Sequence, residues 1–431
     1  MKLNQFKKNI ISGSVIQTLN VLVIFIAYPI YINYLGFELF SIWILLSVVI
    51  SFGMMGELGI SNAITTFTAK AKAKEDHQEI RKILYNSLFI VSVPSVIILF
   101  ILWTFNDNII YILEIPAEHH DISIAILPFI GISIVIYLFH DVFSGIITGM
   151  GRLDISYVLL FARNLLKTII SIILLSLGYS LFSMIYGILV ANILIAILKV
   201  IIIKVSLGTY VLKPIRLSIE NIKRLLNFGF TMIGMQLFNM LSIPFIKVVL
   251  AKSVGVEAVG IFELAQKAGY GIRTVFQKGL FAFLPEIAYV ANKHRYVENI
   301  RTEIYGRVIK YSMYLLYYAV PFFIVLSLTA SIWLNLWLGE SYNENVLYGF
   351  WLLQPGIIAS LLILPSFYSL MATNNQRYCF YESVLRVIII FLLSILYILY
   401  DAGIHYAFVI VSISVVTSNL FVFKIFQTKF K

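Results

Sequence analysis

Long apolar runs broken by short polar stretches make up almost the whole chain. A membrane-spanning helix needs about 20 mostly apolar residues. By that measure the pattern predicts twelve spans, at 10–34, 40–66, 83–105, 122–148, 155–177, 180–203, 228–251, 258–288, 304–328, 345–372, 378–400 and 403–426. The fold class that follows is an all-α polytopic membrane protein. Polar positions within this pattern recur. A shift of 219 residues carries Gln17 onto Gln236, Asn20 onto Asn239, Gly36 onto Gly255, Glu38 onto Glu257 and Ile42 onto Ile261. Further on, a shift of 223 carries the turn 149–152 onto 372–375 and Arg163 onto Arg386, a drift of one small insertion. The sequence therefore reads as a duplication. A six-helix lobe covers 1–204, an amphipathic linker with Pro214 covers 205–227, and a second six-helix lobe covers 228–431.

Composition narrows the class. Of the 431 residues 60% are hydrophobic and 12% charged, too few charges to coat a soluble fold. The net charge of +11 raises nucleic acid as a partner, but the basic residues sit in alternate short loops. Lys70, Lys72, Lys74, Arg81 and Lys82 follow span 2, and Arg152 follows span 4. Lys204, Lys213, Arg216, Lys223 and Arg224 follow span 6, then come Lys293, Arg295 and Arg301, then Arg377, then Lys424, Lys429 and Lys431. The intervening loops hold Glu38, Asp107, Glu114, Glu118, Asp121, Glu257, Glu340, Glu344 and Asp401, with Lys252 their one basic residue. This bias is the positive-inside signature, so both termini are expected in the cytoplasm and nucleic acid is not an expected partner. Lys2, Lys7 and Lys8 precede an apolar run with no small-residue cleavage site, which predicts a retained first span. The single cysteine, Cys379, leaves no disulfide and no Cys-based metal site.

A charge at mid-membrane costs roughly 2.5–3.5 kcal/mol, so each one there needs a reason. Span 8 places Glu263, Gln266, Lys267, Tyr270, Arg273, Thr274, Gln277 and Lys278 within about 140° of the helix surface. Such a stripe faces a watered cavity or another polar helix rather than lipid, although Glu263–Lys267 pairing and snorkelling of Lys278 would account for its ends. Span 2 sets Gly53, Gly56 and Gly59 around Glu57, which reads either as an ion or proton site or as a neutralising partner for a cationic helix. Span 4 aligns Tyr137, His140, Asp141 and Ser144, and span 5 aligns Arg163 and Lys167. An Asp141–Arg163 salt bridge and a proton relay through His140 and Asp141 are both open readings. In span 11 Glu382 and Arg386 stand i, i+4. Spans 1 and 7 carry Gln17, Asn20, Gln236, Asn239 and Lys247, suited either to sugar hydroxyls or to interhelical bonds, with Pro29 and Pro244 as expected bends. Cations outnumber acids toward the basic-loop ends of the spans, which would attract a phosphate or pyrophosphate headgroup. No Walker loop, metal-ligand cluster or nucleophile constellation is apparent, so neither a metal nor ATP hydrolysis is expected.

These residues resemble a known family. The Leu35-Gly36 turn with Trp43, the Glu57-Leu58-Gly59 run, Gly149-Met150-Gly151-Arg152, Leu336-Trp337-Leu338-Gly339 and Pro285 are similar to those of polysaccharide repeat-unit flippases, the O-antigen or Wzx type. These belong to the multidrug/oligosaccharidyl-lipid/polysaccharide (MOP) exporter superfamily. The resemblance implies two six-helix lobes in a V, as in MATE transporters, and alternating access without a cofactor. It also implies movement of an undecaprenyl-pyrophosphate-linked oligosaccharide across the bacterial inner membrane, driven by an H+ or Na+ gradient. On that reading Arg163, Lys167, Arg273, Lys278 and Arg386 meet the pyrophosphate. Gln17, Asn20, Gln236, Asn239, Lys267, Tyr270 and Gln277 face the sugar, and Glu57, His140, Asp141 and Glu263 serve ion coupling. The implied partners are the lipid-linked oligosaccharide, membrane lipids and other polysaccharide assembly proteins. A multidrug antiporter of the same superfamily would want an acid-dominated cavity, and peptidoglycan-precursor flippases usually carry two further helices. A membrane glycosyltransferase or polymerase would need a large outward loop, and the longest here, 105–122, is short.

Overall fold

The structure is a computed structural model that describes residues 3–57, 59–208, 215–280, 287, 300–373, 375–400 and 403–430. The side chains of 3–14, 228–236, 278, 279 and 300 stand outside that description. Lys2, Leu58, Lys213, Pro214, Pro285, Lys293, Arg295, Asn374, Asp401 and Lys431 therefore lie outside the described residues, as do the side chains of Lys7, Lys8, Gln236 and Lys278.

The chain is almost entirely helical. In order come α1 (Leu3–Leu35), α2 (Phe37–Met54), α3 (Ile60–Ala73), α4 (His77–Thr104), α5 (Asn106–Ile112), α6 (His120–Gly149), α7 (Leu153–Ser176) and α8 (Phe182–Leu207). They are followed by α9 (Ile219–Ser253), α10 (Val256–Leu280), α11 (Ile300–Leu328), α12 (Ala330–Leu338), α13 (Glu344–Leu362), α14 (Leu364–Ala372), α15 (Arg377–Leu399) and α16 (Ile404–Phe430). Ten helices or helix pairs among the described residues are long and apolar enough to cross a membrane. The positions of predicted spans 7 and 8 are taken by α9 and α10; even the shorter, 25 residues, reaches about 37 Å, more than a bilayer core. Two predicted spans are broken. Span 2 divides between α2 and α3 through a 3-10 turn at Met55–Glu57, where the glycines allow it, and span 10 divides between α13 and α14 at Ile363.

The chain forms two compact units, Met1–Met240 and Leu241–Lys431. Within the first, α6 is central, packed on α3, α4 and α8. Within the second, α13 is central, packed on α10, α11 and α16. These are the helices that the sequence shift superposes, so the duplication is visible as matched packing. The repeated turn agrees with it. Gly36 and Gly255 take φ of 78° and 113°, a backbone region that costs other residues about 1–2 kcal/mol, and each closes one helix just before the next begins.

Lipid supplies no hydrophobic drive between helices, so close backbone approach does the packing. On α6, Gly145 and Gly149 form a G-x-x-x-G face against α3, and Thr65 Oγ1 donates to the Gly145 carbonyl at 3.3 Å. A Cβ added at Gly149 would lie 2.7 Å from the Thr65 carbonyl oxygen. On α13, Pro355 lacks an N–H, and the neighbouring Gly356 N–H is satisfied across the interface by Ser412 Oγ at 2.9 Å. Phe408 of α16 stacks on Phe262 of α10 at 5.4 Å, with Gly349 of α13 leaving room for its ring.

Gly149→Ala is therefore expected to lower stability by about 1–3 kcal/mol through overpacking. Gly306→Ala on α11, where a Cβ meets nothing within 4 Å, should be neutral or slightly stabilising. Thermal unfolding of both variants in one detergent checks this; equal effects would refute the close-approach account.

Candidate functional site

Each unit concentrates ionisable groups at one place. In the first, the break after α2 is the organiser. It turns the chain at Gly59 so that α3 begins beside Glu57, whose carboxylate accepts from the Ser61 backbone N–H. A helix N-terminus suits a carboxylate there. The Glu57 carboxyl also lies within hydrogen-bonding reach of Asp141 on α6. One residue earlier His140 is buried, and Arg163 Nη1 of α7 meets its Nε2 at 3.3 Å. Lys199 Nζ of α8 meets His140 Nδ1 at 3.1 Å and donates to Ser144 Oγ at 2.5 Å. The Arg163 guanidinium lies 5.5 Å over the Tyr137 ring.

The expected Asp141–Arg163 salt bridge is not what forms. Arg163 takes histidine and tyrosine, and Asp141 faces Glu57. Span 4 aligned both partners on one face, so spacing alone could not choose between them. Lys199 was missed altogether. It lies five residues from Lys204 at the basic end of its span and reads as a snorkelling cation, yet it is 5% exposed. With it counted, two cations stand beside two acids among the described residues of this cluster.

In the second unit α10 is buried in its first half and half-exposed in its second. Phe262, Leu264, Ala265 and Ala268 are buried, while Gln266, Lys267, Tyr270, Arg273 and Gln277 stay half-exposed. Glu263 is held between Lys247 Nζ at 2.6 Å and Lys267 Nζ at 3.4 Å. Two turns along, Arg273 donates to Ser360 Oγ at 2.5 Å, to Gln277 Oε1 at 2.8 Å and to the Ser360 carbonyl at 3.4 Å. Its guanidinium stands 5.8 Å from the Tyr270 ring centre. Every one of these partners is neutral. Arg386 pairs with the buried Glu382, as i, i+4 spacing predicts, and Ser418 Oγ donates to the same carboxylate at 2.8 Å. Among the described residues, the Arg273 and Arg386 guanidiniums thus stand with the Glu382 carboxylate, and Lys247 and Lys267 with Glu263.

The remaining expected residues are dispersed. Asn20 is buried and accepts from Asn164 Nδ2 at 3.0 Å, an interhelical bond rather than an open contact. Gln17 and Lys167 are half-buried on α1 and α7, and Asn239 is exposed on α9. Although no metal-ligand group was expected, Glu38, Glu118 and His119 converge, with their ligand atoms within 4.8 Å of one another. Eighty residues separate the first from the others, so no local motif announces the group.

Solved structures with this arrangement are membrane transporters. An inward-facing MATE family multidrug resistance transporter of the MOP superfamily is similar over 98% of this chain and 97% of its own, with 16% identity and a TM-score of 0.77. An outward-facing one covers 98% and 95%, at 15% identity and a TM-score of 0.70. A MOP superfamily transporter from Pyrococcus furiosus, described as having a binding pocket of reversed polarity, covers 98% and 95%, at 16% identity and a TM-score of 0.65. No curated protein matches. The chain is thus a multi-pass membrane protein with the MOP-superfamily transporter fold. It belongs to the polysaccharide biosynthesis protein family, whose profile matches residues 6–284, more than half of the 431.

Breaking the buried Glu263 pairing should be costly. Lys247→Met removes the more buried of the two lysines that hold the Glu263 carboxylate and is expected to lose about 3–5 kcal/mol, whereas Lys247→Met with Glu263→Met should lose less than the single change. A double-mutant cycle by thermal unfolding measures the difference; additive losses would show that the pair is not coupled.

Proposed function

We propose that this protein is a flippase for an undecaprenyl-pyrophosphate-linked oligosaccharide, an O-antigen or capsule repeat unit. It would carry the unit by alternating access from the cytoplasmic to the outer leaflet of the bacterial inner membrane. The observation that carries this reading is Arg273, a half-buried guanidinium in a membrane helix whose hydrogen bonds all go to neutral acceptors. Such a group retains its charge for an incoming anion, and the fork of N–H donors matches a pyrophosphate. Arg386 and Lys278 extend the same chemistry in the second unit, and Arg163 and Lys167 carry it in the first. Tyr270, Gln277, Gln236, Asn239 and Lys267 are the candidate sugar contacts, with Gln17 and Asn20 in the first unit. Membership of a polysaccharide biosynthesis family supports a glycan-bearing cargo over a cationic drug. The proposed setting has both termini in the cytoplasm and other polysaccharide assembly proteins as partners.

Coupling falls to the first unit. Two carboxyl groups in hydrogen-bonding contact are bridged by a proton or by a cation, so Glu57 and Asp141 form the candidate site for the driving H+ or Na+, with His140 beside them. Glu263, held by two lysines, fits an anchoring role better than coupling.

Two outcomes test the reading in proteoliposomes. The protein should move a pyrophosphate-linked glycolipid and leave a cationic dye in place; the reverse result transfers the protein to the antiporter class. Arg273→Ala should cut glycolipid movement at least tenfold in folded protein. Glu57→Gln should abolish the response to an imposed ion gradient while downhill exchange continues, and an unchanged gradient response would remove Glu57 from coupling.

A further inference from the structure

The transport reading leaves unused a groove of about 350 Å³ in the second unit. Ser312, Met313 and Leu316 of α11 form one wall, Asn419 and Phe423 of α16 form the other, and the break at Ile363 forms the floor. It is long and apolar enough for a ligand, within the roughly 300–1,000 Å³ of small-molecule sites. All three walls belong to membrane-spanning segments, and exposed Met313 and Leu316 stand at its rim. The surroundings are therefore hydrocarbon.

Two features make this more than a gap filled by any chain. Asn419 is 6% exposed, and its Nδ2 lies buried without a hydrogen-bond partner among the described residues. A donor left unmet in an apolar site costs free energy that a ligand acceptor would recover. The second feature is charge. Lys310 follows Ile309 on α11 and Lys424 follows Phe423 on α16, both exposed and both toward the basic-loop ends of their helices. Lys310 stands 5.8 Å from the centre of the Tyr314 ring. Along α16, five residues separate Asn419 from Lys424, about 7.5 Å of rise. The groove itself is thus an apolar trough with one amide, and the two lysines stand outside its lining, each one residue from a residue that lines it.

We propose that this groove binds one chain of an anionic diacyl glycerolipid. The ester carbonyl accepts from Asn419 Nδ2, the acyl chain lies along Met313, Leu316 and Phe423, and the phosphate meets Lys310 and Lys424. A prenyl chain offers no acceptor at the depth of Asn419, which is why the ester lipid is the better fit.

The test uses full-length protein in detergent with phosphatidylglycerol as the probe, lipid retention being read by native mass spectrometry. Ester-linked phosphatidylglycerol should be held about fivefold more tightly than its dialkyl ether analogue, equivalent to about 1 kcal/mol for one hydrogen bond. Asn419→Leu should erase that preference while phosphatidylglycerol is still retained, and Ala359→Trp should fill the groove and abolish specific retention. Lys310→Gln with Lys424→Gln should remove the preference for phosphatidylglycerol over phosphatidylcholine. Equal retention of ester and ether lipids by the unaltered chain would overturn the proposal without relying on any variant. Tighter retention of polyprenyl phosphate than of phosphatidylglycerol would assign the groove to a prenyl chain and overturn it too.

Discussion

Hydrocarbon offers a polar group no partner, so every amide and every charge at membrane depth must be met from within the protein or from a watered space. The architecture follows from that constraint. It makes the spans helical, and it makes the breaks in them informative, because a break frees N–H and C=O groups that then need an owner. Between α2 and α3 the freed N–H groups at the start of α3 are answered by Glu57. At Pro355 of α13 the answer comes from the Ser412 hydroxyl of a neighbouring helix. The same rule brings Lys199 onto His140 and Ser144, and Lys247 onto Glu263. Buried pairs of this kind add little net stability compared with apolar packing, but removal of one member leaves a charge stranded.

Packing between helices works under the complementary restriction that burying apolar surface gains little when the solvent is itself apolar. Dispersion and close fit must then hold the units, which places small residues where central helices meet their neighbours. Gly145 and Gly149 let α6 approach α3, and Gly349 makes room for Phe408 against α13. Both central helices derive from the same position in the duplicated unit, but the glycines differ: Gly145 and Gly149 fall on Tyr368 and Ala372, and Gly349 on Ile126.

Much of this was legible in the sequence because its signals are local. Apolar run length fixed helix positions, the Gly36 and Gly255 register revealed the duplication, and i, i+4 spacing found Glu382–Arg386 and Glu263–Lys267. The polar stripe of α10 was likewise visible, but burial does not follow it: Glu263 is buried, while Ile272, Val275 and Phe276 on the other side are as half-exposed as Arg273. What stayed hidden depends on which helix packs on which. The choice of His140 over Asp141 by Arg163, the contact of Glu57 with Asp141, and the burial of Lys199 all join residues from different helices. Periodicity gives the face of one helix but not the facing residue of another. The convergence of Glu38 with His119 escaped for the same reason.

The two halves share a fold but not a chemistry. In the register of the duplication Arg273 falls on Met54, and Glu57 falls on Phe276. The first unit thus has an acid in this helix where the second has an aromatic ring, and the second has an arginine where the first has a thioether. After folding, the first cluster sets two carboxyl groups beside two cations. The second leaves a guanidinium with neutral partners alone. A charge at membrane depth costs several kcal/mol unless water or an opposite charge meets it, and Arg273 is half-exposed with the Glu382 carboxylate acting on it. Among the described residues, the acid at the helix break and the guanidinium hydrogen-bonded to neutral groups thus fall in opposite halves of the duplicated chain, at positions that the register does not superpose.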